Sequence, residues 1–586
     1  MGMTALARLN GESEQAAAGP ESGKSTSPAP QTKIRGLMID AARLSESPDY
    51  YRRVIEFCAE WDLNTLQVRL TDDQGSALRF ASVPDLITHP DALTPDQAKS
   101  LVEFASSHGV DLIPEVESFG HTGYITRSPK YAHLLDADPH GSAEFTGVIP
   151  VLPETRQLFD RLYREVAEIF PSVYLHAGCD EVNWGGSDLS RKALQTQTRA
   201  QIWAEYLNSL QRSAESLGKQ LVVWGDLVLH KEPQVISQLD KNIIIMDWNY
   251  WDTRAIGFHD ALMEVEKSGH RGVGAPALIS YRWGPRAGSE QLRNIDAFAE
   301  AYSGAEVSAS LGVILTNWVP TRWIQNSLWD GFAYGAIAFK EGPEKARLTA
   351  FRRFVERHYG AEWNEVWAEA FELVYDATPG YGERTTITPM GLHLTTPWSS
   401  DAQLAAVLKD RSHRHNPFVR VRSLLVELES AVLMNRADFF AFALSVECLQ
   451  QWCWREGVVV EHAAKMPLDA ETTRLLIQAI ADRDRELAGK LAMDWDTGRS
   501  ADSAGEQYWD GQLSAGVSRN DVALSIANSA ENDTQLINAD YEHYLGRAAD
   551  PGGLTYWLGQ FAAGQTNEDI IAGFTGSAEY YKEHTA

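Results

Sequence analysis

Val173 to Gly186 reads VYLHAGCDEVNWGG, and its adjacent acids, Asp180 and Glu181, are the side chains in this sequence best placed to do chemistry. The short apolar run Val173-Tyr174-Leu175 predicts a buried strand, and Gly185-Gly186 closes the ordered pattern, so both acids fall where a strand gives way to a loop. Neighbouring side chains at a strand mouth project differently. One carboxylate can then orient a substrate group while the other, desolvated, delivers a proton, an arrangement suited to glycoside cleavage. A lone Asp-Glu pair more often decorates a solvated helix start, so the assignment depends on the elements around it.

Eight apolar segments rich in β-branched residues recur over the first 345 residues: Ile34 to Asp40, Thr65 to Leu70, Val110 to Val116, Val173 to Gly178, Leu221 to Asp226, Ile243 to Trp248, Gly274 to Tyr281 and Leu311 to Trp318. Stretches of helical period lie between them, among them Tyr50 to Trp61, Pro95 to His108, Thr155 to Phe170, Arg199 to Leu217 and Asn326 to Phe339. Eightfold alternation of strand and helix predicts an α/β fold, a (β/α)8 TIM barrel, whose chemistry belongs at the C-terminal ends of the strands. Those ends carry Asp40 with Arg43, Asp72 with Asp73, Glu115 with Glu117, Asp180 with Glu181, Trp224 with Asp226, Trp248 with Tyr250, then Tyr281 and Trp318. Indole stacks on the apolar C–H faces of sugars while charged groups bind hydroxyls. Three tryptophans at equivalent strand ends favour a sugar pocket over barrel packing, although packing alone would account for any one of them.

Four blocks, RGLMIDAARL (Arg35 to Leu44), NTLQVRLTDDQG (Asn64 to Gly75), IPEVESFGH (Ile113 to His121) and HAGCDEV (His176 to Val182), give the chain a resemblance to the family 20 glycoside hydrolases, the exo-β-N-acetylhexosaminidases. They stand in the family's order at the ends of the first four strands, and the resemblance covers residues 34 to about 345. It implies that Arg43 holds hydroxyls of the terminal sugar and that Asp72 and His121 support the acid. It further implies that Asp180 orients the 2-acetamido group and that Glu181 is the general acid and base. Trp224, Trp248 and Trp318 match aromatic walls. Tyr250 and Tyr281 both match the tyrosine that donates to the acetamido oxygen. No protein nucleophile is then required: the substrate's acetamido carbonyl attacks the anomeric carbon, an oxazolinium forms, and configuration is retained. A charged Asp180 would make ionising Glu181 harder, separating the two acids in role.

The chain departs from the family pattern at Trp318, which is followed by Val319-Pro320 where a Trp-x-Glu is usual. ILTNW and MDWNY look more like the hexosaminidase D-type branch, which leaves terminal β-linked N-acetylglucosamine and N-acetylgalactosamine both open as substrates. Cys179 replaces a common glycine and reads as a small buried residue. Two other readings compete: a non-catalytic glycan-binding surface protein, and a metal-dependent barrel hydrolase with His121, His176, Asp180 and Glu181 as ligands. The hexosaminidase reading needs no metal and no cofactor.

With 80 acidic against 52 basic residues the net charge is −28, which disfavours nucleic acid and anionic membrane surfaces as partners. No run of 18 apolar residues exists to span a bilayer. Residues 1–33 read as a disordered leader and 34–345 as the catalytic barrel, followed by an α-helical domain over 346–492 with amphipathic stretches at Phe418 to Leu433 and Ala470 to Leu491. The loop Tyr381 to Ser399, with Trp398, could close over the sugar site. In 493–586, YWDGQLSAGVSRNDVALSIANSAEN from Tyr508 recurs as YWLGQFAAGQTNEDIIAGFTGSAEY from Tyr556, a repeat of 48 residues that marks a small helical module. LGRAADPGGLTYW resembles a small domain found in bacterial extracellular proteins. It tilts localisation towards a secreted or cell-surface bacterial protein, with a cytoplasmic one and a homo-oligomer left open.

Overall fold

The computed structural model describes residues 33–137, 147–279, 286–303, 307–320, 323–378 and 417–464 (backbone alone from 452), with 549–562 and a few single positions of the tail. Eight parallel strands close on themselves: β1 Ile34–Asp40, β2 Thr65–Arg69, β3 Asp111–Glu115, β4 Tyr174–His176, β5 Gln220–Trp224, β6 Ile244–Asp247, β7 Arg271–Gly274 and β8 Ser310–Asn317. Each pairs with the next, and β8 returns to β1 through Ile34↔Gly312 to Leu37↔Leu315. Leu37, Leu175, Leu221, Ile245 and Leu315 are fully buried within this closed sheet.

Local sequence sets the connecting helices. Ser47 caps Pro48–Glu60, and Pro48 fills the first turn, where a missing N–H costs nothing. Thr94 with Gln97, and Thr198 with Gln201, form reciprocal capping boxes at the starts of Pro95–Ser107 and Arg199–Ser216. The helices Pro153–Ile169, Ala255–Lys267, Ser289–Ser303 and Trp329–Glu341 complete the outer layer.

The expected seventh strand, Gly274 to Tyr281, is corrected. The barrel strand is the glycine-containing Arg271–Gly274, and Ala277–Ile279 is a separate short strand beside β8. Pro276 interrupts the apolar run and has no N–H to donate to a ladder. Tyr281 itself lies outside the described residues.

Beyond the barrel, Gly342 turns at φ 94° straight into Pro343–His358, and Glu365–Ala377, Pro417–Leu428 and Arg436–Ala464 follow. Their apolar faces join the barrel core: Phe57 lies 6.2 Å from His358, and Trp61 6.3 Å from Phe354. Asp438, fully buried, binds His358 Nε2 at 2.7 Å and also Arg53 from the first barrel helix. In the tail, Asp550 Oδ1 accepts the N–H groups of Gly552 and Gly553 and so starts the helix Pro551–Ala562, beneath which Ile537 and Tyr541 are buried. The leader, the stretch Ala470 to Leu491 apart from one position, the Tyr381 to Ser399 loop and most of the repeat fall outside the described residues. No described helix is long and apolar enough to cross a membrane.

Candidate active site

The first four strand ends deliver their charged residues to one place. Arg69, the last residue of β2, is fully buried and acts as a hub: its Nη1 donates to Glu115 at 2.5 Å and Glu117 at 2.6 Å, and its Nη2 to Asp72 at 2.6 Å. Arg43, entering from the β1 end, binds Asp40 at 2.9 Å and Asp72 at 3.0 Å. Burial alone would raise Asp72, yet Arg43, Arg69 and His121 outweigh it and hold its carboxyl well below the usual carboxylate range. Six acidic and basic side chains therefore fix the geometry of the floor before any ligand arrives.

His121 bridges this floor to the acid pair. Its Nδ1 lies 3.2 Å from Asp73 Oδ2 and 3.7 Å from Asp72, while Nε2 faces Glu181 at 3.4 Å and Asp180 at 3.7 Å. Burial would depress the imidazolium, but the surrounding carboxylates, Asp72 first and then Asp180, push its pKa well above the ordinary value. The sequence pairs His121 with Asp72. The structure makes Asp73 the closer partner, because Asp72 is already claimed by two guanidiniums.

Asp180 and Glu181 follow β4 in a tight left-handed turn, with φ of 65° at Gly178, 73° at Cys179 and 47° at Glu181. A Cβ on Gly178 would sit 2.1 Å from the Glu117 carboxyl, and one on Gly120 would sit 2.2 Å from the Asp180 carbonyl oxygen, so both glycines permit the close approach. The turn separates the acids, but in the opposite sense to the expected desolvation of the proton donor: the Asp180 side chain is 9% exposed and that of Glu181 36%. Burial opposes the ionisation of Asp180, but His121 and Arg69 outweigh it and lower its pKa. Glu117 moves the other way, raised well above the carboxylate range by burial and by neighbouring Asp180. Two buried acids side by side are thus driven in opposite directions, Glu117 upward and Asp180 downward.

The Glu181 backbone N–H donates to Asp226 Oδ2 at 3.3 Å, and Lys231 Nζ reaches the same oxygen at 3.2 Å. Asp226 is pushed up to about 6 by burial and by Asp180. Asp73, Glu117 and Asp226 stand at strand ends in the sequence without an assigned role, and Arg69 is a site residue that the sequence reading missed. Their common signal is a charged residue inside or just beyond an apolar strand.

The aromatic residues divide by depth. Trp318, 8% exposed, packs 5.1 Å from the Arg69 guanidinium and 5.5 Å from that of Arg43, and its Nε1 donates to Tyr250 Oη at 2.7 Å. Trp224, 1% exposed, lies deeper: its Nε1 donates to Glu115 at 2.9 Å and its ring meets Trp318 at 5.5 Å. It forms floor where the sequence suggests wall. Trp248 is half-buried against Tyr250 at 5.1 Å. Of the two tyrosines, Tyr250 is brought to the site. Cys179, also buried, has its thiol pushed up by burial, in keeping with a packing role.

His176 does not join the set that a metal reading gathers. It stacks on Trp224 at 4.5 Å, its Nδ1 accepts the Gly178 N–H at 3.0 Å, and burial lowers it to about 4. Among the described residues, His121, Asp180 and Glu181 present ligand atoms within 4.8 Å of one another, as do Asp72, Asp73 and His121.

Residues 33–303 match the glycosyl hydrolase family 20 catalytic domain, and residues 497–536 and 533–584 match a domain of unknown function, DUF4214. The chain is 26% identical over 254 residues to a beta-hexosaminidase of Vibrio furnissii, covering 38% of this chain and 40% of that one. It is 26% identical over 231 residues to a lacto-N-biosidase of Bifidobacterium bifidum, covering 37% and 20%. The chain thus spans 40% or less of the length of these two relatives. A solved family 20 exo beta-N-acetylglucosaminidase from Vibrio harveyi, in complex with N-acetylglucosamine, superposes with a TM-score of 0.43 at 20% identity, covering 55% of this chain and 58% of that one.

Proposed function

We propose, from a barrel whose residues 33–303 belong to glycosyl hydrolase family 20, that this protein is a retaining exo-β-N-acetylhexosaminidase acting on glycans that end in β-linked N-acetylglucosamine or N-acetylgalactosamine. The observation that carries the reading is the division of labour between Asp180 and Glu181: adjacent in sequence, both facing His121 Nε2, one buried and one open to the mouth. A buried, ionised Asp180 suits orientation of the acetamido N–H and balance of the positive charge of an oxazolinium. A more exposed Glu181 suits protonation of the departing oxygen and, afterwards, activation of water. No second carboxylate is needed as nucleophile, because the acetamido carbonyl supplies one. Arg43 would take hydroxyls of the terminal sugar above the Trp318 wall, and Tyr250 and Tyr281 both serve as candidates for the acetamido oxygen. The match of the tail to a domain repeated in this chain fits a secreted or surface-attached protein.

The test pairs nitrophenyl β-N-acetylglucosaminide and β-N-acetylgalactosaminide, each with wild type and Glu181→Gln and each with EDTA. Release of nitrophenol that survives EDTA and falls at least about a hundredfold in the variant is the expected result. Loss of activity to the chelator would favour instead the metal-dependent reading built on His121, Asp180 and Glu181. A folded wild type that turns over neither glycoside would favour the glycan-binding reading.

A further inference from the structure

The helices Pro153–Ile169 and Arg199–Ser216 of the outer layer enclose between them a groove of about 400 Å³ that shares no residue with the strand-end site. Arg156, Asp160 and Arg164 stand at i, i+4 and i+8 on the first helix and so line one face of it over about 12 Å. Arg212 adds a third guanidinium from the second helix. Arg156 is half-buried, while Arg164 and Arg212 are exposed.

The chain carries 80 acidic residues, yet among the described residues no carboxylate pairs with any of these three guanidiniums. Asp160, the acid inside the groove, is engaged elsewhere: its Oδ1 accepts the Ser213 hydroxyl at 2.5 Å. Arg156 Nε is buried and meets no hydrogen-bond acceptor in the protein. A buried N–H without an acceptor is costly, and an oxyanion brought to it removes that cost. The net charge of −28 does not forbid the approach, because physiological salt screens charges beyond about 8 Å and leaves the decision to the groups that line the groove.

The lining also says what the oxyanion is attached to. Among the described residues it includes no aromatic ring for a nucleobase to stack on, and Leu217 is its sole apolar side chain, too little to cover a lipid tail. The Ser209 and Ser216 hydroxyls give their protons to the carbonyls of Tyr206 at 2.6 Å and Ser213 at 2.7 Å, so their oxygens are left to accept from ligand hydroxyls. Guanidinium forks for an anion beside acceptors for hydroxyls match a sugar ester.

We propose that this groove binds a saccharide through a sulfate or phosphate monoester, a second glycan contact on the outer wall of the barrel and apart from the site of cleavage. It uses none of the residues of the hexosaminidase reading and stands or falls independently of it. The test is isothermal titration calorimetry on the full chain with glucose 6-sulfate, glucose 6-phosphate, glucose and inorganic sulfate. Wild type is compared with Arg156→Lys and with a double variant carrying Arg164→Gln and Arg212→Gln. The double variant alters exposed positions, where the fold tolerates change, and Arg156→Lys keeps the charge while removing the fork. The expected result is binding of at least one ester by wild type, about tenfold or more weaker in the double variant and weakened by a smaller factor in Arg156→Lys, with Tm unchanged. The ester that binds distinguishes sulfate from phosphate. No binding of either ester, ester affinity unchanged in the double variant, or glucose bound as tightly as its esters overturns the proposal. Inorganic sulfate bound as tightly as the esters overturns it too, leaving an adventitious ion only.

Discussion

Glu181 holds a left-handed backbone at φ 47°, a conformation that costs a non-glycine residue on the order of 1 kcal/mol, and the Asp226 carboxylate on its N–H helps keep it there. Asp226→Asn is therefore expected to lower kcat about tenfold with little change in KM, since it disturbs where the acid points rather than how the sugar binds. Steady-state kinetics on a nitrophenyl glycoside would show a rise in KM alone if Asp226 served binding instead. Under the proposed mechanism Asp180→Asn removes the charge that would balance the oxazolinium and is expected to cost about a hundredfold or more in kcat. A third acid bears on stability. Burial lifts Asp247 to about 6 from 3.8, offset in part by the Tyr302 hydroxyl, which donates to it at 3.1 Å. The folded protein thus binds this proton more tightly than the unfolded chain, so the group's contribution is fully present below about pH 4 and is lost as pH rises through 6. Asp247→Asn is expected to raise stability at pH 7 by up to about 3 kcal/mol and to do little at pH 4, which melting curves at the two pH values would establish.

The turn after β4 is the element on which the site depends. Gly178→Ala would drive a Cβ into the Glu117 carboxyl and force a methyl side chain to φ 65°, displacing a partner of the Arg69 hub. We expect a loss of about 3 kcal/mol or more in urea unfolding together with loss of turnover. An active, stable Gly178→Ala protein would show that the hub tolerates displacement. Seven of the eight strands were legible in sequence because each is a short, mainly apolar run bounded by polar residues, even where Arg35, Gln67 or Pro114 stands inside it. The seventh was not, because Arg271–Gly274 holds two glycines and the stronger apolar signal, interrupted by Pro276, belongs to its short neighbour. Asp180, Glu181, His121 and Arg43 were legible as motif residues at strand ends. Burial of Arg69 beneath three acids was not, since a charged residue inside a strand carries no mark of which face it occupies until its partners are placed.

At the scale of the whole molecule, the helices that follow Gly342 are an outer part of the barrel's own packing. Asp438 draws Arg53 from the first barrel helix and His358 from the first appended one to a single buried carboxylate. Asp438→Ala strands both, and a cost of about 2–3 kcal/mol in a cooperative urea transition is expected. A separate early transition would show instead that barrel and helices unfold independently. The proposed function makes one central claim, that the substrate's own acetamido group is the nucleophile. The most direct measurement follows, by NMR, the first anomer released from nitrophenyl β-N-acetylglucosaminide and β-N-acetylgalactosaminide, beside the matching β-glucoside and β-galactoside that lack the acetamido group. Substrate-assisted cleavage releases the β anomer first from an acetamido sugar, with no comparable turnover of its counterpart. Release of the α anomer first, or equal cleavage of the sugars without an acetamido group, would contradict it.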